Sequence, residues 1–411
     1  MTEAAKQTLY ICYFGMREPL VQTQVLPYLR ELVKGGIGVG IVTFEPDLKA
    51  KWSAEQIAET KRTLASEGIE WDALAYHRSP SALATAYDIF AGTLFVRRKI
   101  RERKFDVLHG RIHVATLMGA LARKFSGRKP KLIFDIRGFF PEEYTDAGVW
   151  PEKGLLFRGA KRVEKWLMKV ADGFVVLTEK ARSMILADET RPVEVIPCCV
   201  DFAARFPWID PRVRERRREE ISVSGRTVYA HIGALGGLYL TKELADFLAA
   251  ARELDPRSFA LFLTQSDTAE IKKLLTERGF TENDYFIGRV APSEIFDYLI
   301  AADFGLSFVK ATYATQSRSP TKIPEYLAAG LPVIANSGVG DVDELIETEN
   351  VGLLIGKFNR EAYQNAIFRL RRLGNIGYRC REVALRRFDL ETVGGVRYRS
   401  LYERLFCKEG N

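Results

Sequence analysis

The chain has 411 residues, 61 Lys and Arg against 53 Asp and Glu, and 47% hydrophobic side chains. At about 150 residues per domain this is enough for two or three ordinary cores, which excludes a disordered, collagen-like or disulfide-scaffold protein. The net charge of +8 allows attraction to phosphorylated substrates, anionic lipid or nucleic acid without choosing among them.

Cys12, Cys198, Cys199, Cys380 and Cys407 make no CxxC pattern and read as the reduced thiols of a cytoplasmic protein. His77, His109, His113 and His231 make no HExxH, so a zinc enzyme is not expected. No apolar run approaches the ~20 residues of a membrane helix. The opening MTEAAKQT lacks the ordered regions of a signal peptide.

Strand and helix patterns alternate from the start. LYICYF (9–14) reads as a strand, VLPYLRELVKGG as a helix, GVGIVTFE (38–45) as a strand and 53–67 as a helix. A polar connection leads to the strand DVLHG (106–110), the helix ATLMGALARKF and the strand KLIFDIRG (131–138). LLFRGAKRVEKWLMKV (155–170) is an amphipathic helix expected to bury its apolar side against the sheet, with an anionic leaflet as the alternative surface for that side, and GFVVLT (173–178) and VEVIP (193–197) are strands. The polar stretch 206–225, with two Pro, reads as a linker or a solvated first helix.

A second series follows. Its strands are TVYAHIG (227–233), FALFLTQ (259–265), DYFIGRV (284–290), FGLSFV (304–309), PVIANS (332–337) and VGLLI (351–355). Helices fill 241–253, 267–278, 293–301, 321–330 and 341–347. Such alternation specifies parallel sheets covered on both faces, so the fold class is α/β with two doubly wound halves meeting near residue 205. Ligands of such sheets bind beyond the C-terminal strand ends, and the expected site is a cleft between the halves.

The sharpest segment is SRSPTKIPEYLAAGLPVIANSGVGDVDEL (317–345). Pro320 starts a helix, Thr321 or Ser319 supplies its cap, and Gly330 ends it in the left-handed conformation. Lys322 and Glu325 share one helical face, where the lysine can meet a phosphate and the carboxylate a ribose. For either residue alone, a surface Lys–Glu pair explains the pattern as well. In YAHIGALGGLYLTKELADFL (229–248), a glycine turn between strand and helix permits close approach to a phosphate, or simply tight packing. Asp135 and Arg137 make an ion pair at a strand end or touch an anionic ligand. His109 ends another strand.

The string PxKxxEYLAxGxPVI resembles the donor segment of GT-B glycosyltransferases, in particular the retaining family-4 enzymes. That resemblance implies two Rossmann-like domains facing a central cleft: 1–205 on the acceptor side, 206–390 binding a nucleotide sugar, and a helix over 391–411 crossing back. It implies Glu325 as the ribose ligand, with Lys322, Thr321, Ser319 and Ser317 near the phosphates or sugar. Ser317 stands where the family often has a second glutamate. Gly233, Gly236 and Gly237 match the loop facing the donor diphosphate, and Lys242 is the candidate for a clamping lysine after it. In KLIFDIRGFFPEEYTDAGVW the family's usual His before the Gly is Arg137, and with Asp135 and His109 it makes the catalytic set the resemblance implies. VIPCCVDFAARF (195–206) corresponds to the end of the first domain, a boundary more than a site.

GGIGVG (35–40) follows a helix and enters a strand, the reverse of a dinucleotide loop. DVD (341–343) sits at a helix start, where Asp is an ordinary cap rather than a metal ligand. The basic runs 97–104 and 212–219 are helix-like with interspersed Glu and read as solvated faces. No aromatic residues are interleaved with those charges, so nucleic acid is not an expected partner.

The expected function is sugar transfer from a nucleotide sugar, needing no cofactor or metal, to a glycan, lipid-linked or small-molecule acceptor, with retention of configuration. A cytoplasmic protein peripheral to an anionic membrane surface fits the charge. The alternatives are a catalytically inactive GT-B scaffold and a sugar-nucleotide epimerase.

Overall fold

A computed structural model describes residues 6–79, 81–207 and 210–406. The chain divides into two units, Met1–Pro197 with Gly394–Asn411, and Cys198–Val393. In the first unit the strands are β1 (Gln7–Cys12), β2 (Gly38–Pro46), β3 (Ile69–Tyr76), β4 (Val107–Arg111), β5 (Lys131–Ile136), β6 (Gly173–Val176) and β7 (Val193–Val195). They form one sheet in the order β3-β2-β1-β4-β5-β6-β7, parallel throughout. The central strands are covered on both faces, which is why TLYIC and LIFDI are continuous apolar runs broken by single polar residues.

The second unit has β8 (Thr227–Ile232), β9 (Ser258–Leu263), β10 (Tyr285–Gly288), β11 (Phe304–Ser307), β12 (Val333–Asn336) and β13 (Gly352–Ile355). Their order is β10-β9-β8-β11-β12-β13. One face packs Val228, Ala230, Ile232, Leu261 and Val333 under Tyr326 and Leu327, and the other packs Tyr229, Phe262 and Ile334 under Leu244, Phe247 and Ile367. Each sheet therefore reverses strand order once, between β1 and β4 and between β8 and β11.

The polar connection expected before β4 is in fact β3 and a 22-residue helix, Ser81–Glu102. The expected solvated helix at 212–219 lies within Pro211–Glu220, but it is docked. Arg214 Nη1 donates to the carbonyls of Ile300 and Ala302, and Arg214 and Arg218 both pair with Asp303. Trp208 and Ile209 of the expected linker, and Cys407, lie outside the described residues. The 97–104 run is likewise paired, Lys99 with Asp72 at 2.6 Å and Arg103 with Glu70 at 2.5 Å. The helix Leu155–Val170 buries only Leu167 fully and leaves Leu155 and Leu156 exposed, because its inner side carries Lys161 and Glu164, tied to Glu142 and His113. Cys12, Cys198, Cys199 and Cys380 are buried. Among the described residues no helix is long and apolar enough to cross a membrane.

Candidate functional site

In the second unit the strand-order reversal is held open by one side chain. β8 and β11 pair at Tyr229–Phe304 and Ala230–Gly305. Beyond those pairs the Tyr326 hydroxyl stands between them, accepting the Ile232 amide at 2.9 Å and donating to the Leu306 carbonyl at 3.1 Å. Gly305 makes room for it, since a Cβ there would lie 2.3 Å from the Tyr326 ring. The helix Lys322–Ala328 is thereby pinned at the C-terminal ends of two central strands, the position where doubly wound sheets bind ligands.

That helix carries Lys322. The residue is buried, its Nζ has no hydrogen-bond partner, and the ammonium lies 4.4 Å from the centroid of the Tyr239 ring. Gly233 lies beside it: a Cβ there would come 3.8 Å from Lys322 Cε and 3.9 Å from Nζ. Gly233, Gly236 and Gly237 have φ of 97°, 75° and 62°, which glycine adopts without strain. The loop is tied down by the Tyr239–Val309 bridge and by the Lys310 amide, which donates to the Leu238 carbonyl at 2.8 Å. Burial pushes the Lys322 pKa down to about 7, with Glu325 pulling it back up. His231, at the end of β8, is buried with Nδ1 unpartnered, and burial followed by the Lys322 charge holds its pKa far below the usual value.

Glu325 Oε1 meets Arg205 Nη2 at 2.9 Å, and the same guanidinium donates to the Pro292 carbonyl at 3.0 Å. Burial raises the Glu325 pKa against the pull of Arg205. Ser317 donates to the Ala314 carbonyl at 2.7 Å, closing its own turn. Neither expected cap residue caps the helix. Ser319 Oγ instead accepts the Cys198 amide at 3.1 Å, and Thr321 has helical backbone angles that keep its hydroxyl from the first-turn amides. Gly330, at φ 78°, ends the helix as expected, with the Leu331 amide donating to the Tyr326 carbonyl at 2.9 Å. Lys242 is turned to solvent and pairs with Asp246 at 2.9 Å, so it does not join the groups around Gly233. In DVD, Asp341 occupies the N-cap position without a side-chain cap bond, and both oxygens of Asp343 accept the Gly338 amide at 3.0 Å.

In the first unit the reversal lies between β1 and β4, whose register sets Tyr10 beside His109, while that of β4 and β5 sets Arg111 beside Asp135. Asp135 Oδ1 is 2.7 Å from Arg137 Nε, and its Oδ2 is 3.4 Å from His109 Nε2 and 3.8 Å from Arg111 Nη1. The ion pair at a strand end is thus present. Tyr398 and Tyr402 of the C-terminal helix Val396–Phe406 close over the cluster. The Tyr402 hydroxyl lies 2.9 Å from His109 Nδ1, and Arg137 Nη2 donates to the Tyr398 hydroxyl at 2.5 Å. Burial pushes the Asp135 pKa up, but Arg137, His109 and Arg111 outweigh it and hold the carboxyl well below the ordinary range. Burial keeps His109 neutral below its usual pKa. His109 and Asp135 have no solvent exposure, and the Arg137 side chain is 6% exposed.

Tyr239, Tyr326, Arg205 and His231 are the residues that sequence reading left out. Tyr239 and Tyr326 stood inside the quoted motifs, but nothing in their spacing marks a ring under an ammonium or a hydroxyl between two strands. Arg205 is 120 positions from its partner.

The glycosyltransferase family 4 model matches residues 21–204, and the glycosyl transferases group 1 model matches residues 229–372. The chain is a GT-B glycosyltransferase of the family-4-like type. No curated protein sequence matches it. Among solved structures, sucrose-phosphate synthase from Thermosynechococcus elongatus superposes with a TM-score of 0.72 at 17% identity, over 98% of this chain and 99% of that one. HepE of Anabaena, solved with UDP and glucose, gives 0.68 at 16% identity, over 96% and 99% of the two chains. WaaG, a glycosyltransferase involved in lipopolysaccharide biosynthesis, gives 0.65 at 15% identity, over 97% and 100%.

Proposed function

We propose that this glycosyltransferase takes its sugar from a nucleoside-diphosphate sugar bound by the Cys198–Val393 unit, with Lys322 and the Gly233–Gly237 loop receiving the diphosphate and Glu325 the ribose hydroxyls. The observation that carries the reading is the buried Lys322 ammonium, which lacks a hydrogen-bond partner and lies against a glycine loop at the strand-order reversal. An ammonium so placed is complementary to an anion, and its charge would stabilise a departing diphosphate. HepE, a chain of the same fold, is seen with UDP and with UDP-glucose, which supports the donor class. His109 and Asp135 then act by positioning Arg137 rather than by touching substrate. Nucleotide titration tests the reading: UDP, GDP or ADP should bind, and Lys322→Met should abolish that binding while the protein stays folded.

Retention is the stereochemistry that goes with the family-4 likeness: the acceptor oxygen bonds to the anomeric carbon on the face that the diphosphate leaves, and the leaving phosphate takes the acceptor proton. Inversion has one observation in its favour. His77, beyond β3 and 45% exposed at its side chain, holds Nδ1 2.6 Å from the buried Asp88, leaving an imidazole able to act as a base. The anomeric configuration of the first-formed product, read by proton NMR, separates the two.

A lipid-linked acceptor at an anionic membrane is supported by one surface of the first unit. Leu83, Tyr87, Phe90 and Leu94 are 71%, 57%, 62% and 46% exposed and form one stripe along the helix Ser81–Glu102. Arg98 and Arg101 continue it. An apolar stripe ending in cations suits the boundary of an anionic leaflet.

A further inference from the structure

We propose that Arg111 and Arg137 form an anion site that takes a phosphate or carboxylate group of the acceptor. The word acceptor rests on the glycosyltransferase reading above; the anion site does not.

The charges do not balance without a ligand. Among the described residues, Asp135 is the only carboxylate within ion-pair distance of either guanidinium. One arginine neutralises it, and the second has no such role. The phenols around them, Tyr10 and Tyr398, stay neutral because burial raises their pKa. The side chains of Arg111, Asp135 and Arg137 are 3%, 0% and 6% exposed, so solvent does little to screen the surplus charge.

Hydrogen bonding shows the same deficit. Arg111 Nε and Arg137 Nη1 are buried donors without a partner. Buried guanidinium N–H groups are costly when unmet, and their fork matches two oxygens of a phosphate or carboxylate. Arg111 ends β4 and Arg137 follows β5, next to the reversal between β1 and β4, where doubly wound sheets bind ligands. Arg137 has the most exposed side chain of the three, at 6% against 3% and 0%.

The test uses the full chain carrying Lys322→Met, which removes the donor-side ammonium from the reading. Thermal unfolding is followed in orthophosphate, in acetate, and in chloride at equal ionic strength. The expected result is a rise of roughly 2–4 °C with phosphate or with acetate over chloride. A rise with phosphate assigns a phosphorylated acceptor, and a rise with acetate alone assigns a carboxylate-bearing one. Arg137→Gln should abolish the rise and Arg137→Lys should reduce it; the lysine variant serves if the glutamine one does not fold. No rise with either anion, or a rise that survives both variants, overturns the site. UDP titration of the unmutated protein runs alongside. Intact UDP binding without an anion response sinks this inference alone, and an anion response without nucleotide binding sinks the donor reading alone.

Discussion

The Lys322 ammonium lies 4.4 Å from the centroid of the Tyr239 ring and has no hydrogen-bond partner. Its pKa of about 7, against 10.5 for an ordinary lysine, follows mainly from burial. A diphosphate placed beside it restores the charge. Nucleoside-diphosphate affinity should therefore fall by up to about tenfold per unit above pH 7, with up to one proton taken up on binding. Titration calorimetry near pH 8 in buffers of different ionisation enthalpy reads that proton, and zero uptake contradicts the assignment. The unfolded chain keeps the proton to higher pH than the folded one. The Lys322 contribution to stability therefore rises between about pH 7 and 10.5, and Lys322→Met should flatten that slope.

Glu325 is held by Arg205 at 2.9 Å and is mostly buried. A hydrogen bond to a charged group is worth about 1.5–3 kcal/mol, so Glu325→Ala should weaken nucleotide binding roughly tenfold or more. Glu325→Gln keeps the shape and should lose affinity with less change in melting temperature. Unchanged affinity in both variants removes Glu325 from the site.

Transfer should survive EDTA. The motivating contact is Asp343, whose two oxygens share the Gly338 amide at 3.0 Å and so serve the start of their own helix. Activity abolished by chelation and restored by Mg²⁺ or Mn²⁺ would show that the carboxylates of 341–343 were misread.

The exposed stripe Leu83–Leu94 should bring the protein down with anionic phosphatidylglycerol vesicles at low salt. Binding should weaken as salt shortens the screening length from about 10 Å at 0.1 M to about 3 Å at 1 M. Phe90→Glu should release it without changing nucleotide affinity. Protein left wholly in the supernatant at low salt favours a soluble acceptor.

How much of this could be read in advance depended on whether a residue's role was local. Buried parallel strands announce themselves as apolar runs, and Gly330 ends its helix where the pattern placed it. The Lys322–Glu325 spacing put both residues on the right element because helical periodicity is a local property. IEWDALAY was missed because an edge strand carrying Glu70 and Asp72 does not read as buried. The helix after it was missed because it carries an apolar stripe to solvent rather than to the core. The direction of Lys242 was not legible because a lysine after a glycine loop can turn outward to its own helix, as it does toward Asp246. Arg205 and the tyrosines over Asp135 belong to contacts between distant segments, and nothing local in the sequence encodes them.

The most direct test is donor hydrolysis with a panel of UDP-, GDP- and ADP-sugars, followed as nucleoside diphosphate released without acceptor. One donor class should be turned over by the unmutated protein and not by Lys322→Met, with both proteins melting as folded chains. Release that is equal in the two, or no binding and no release with any donor, would contradict the account.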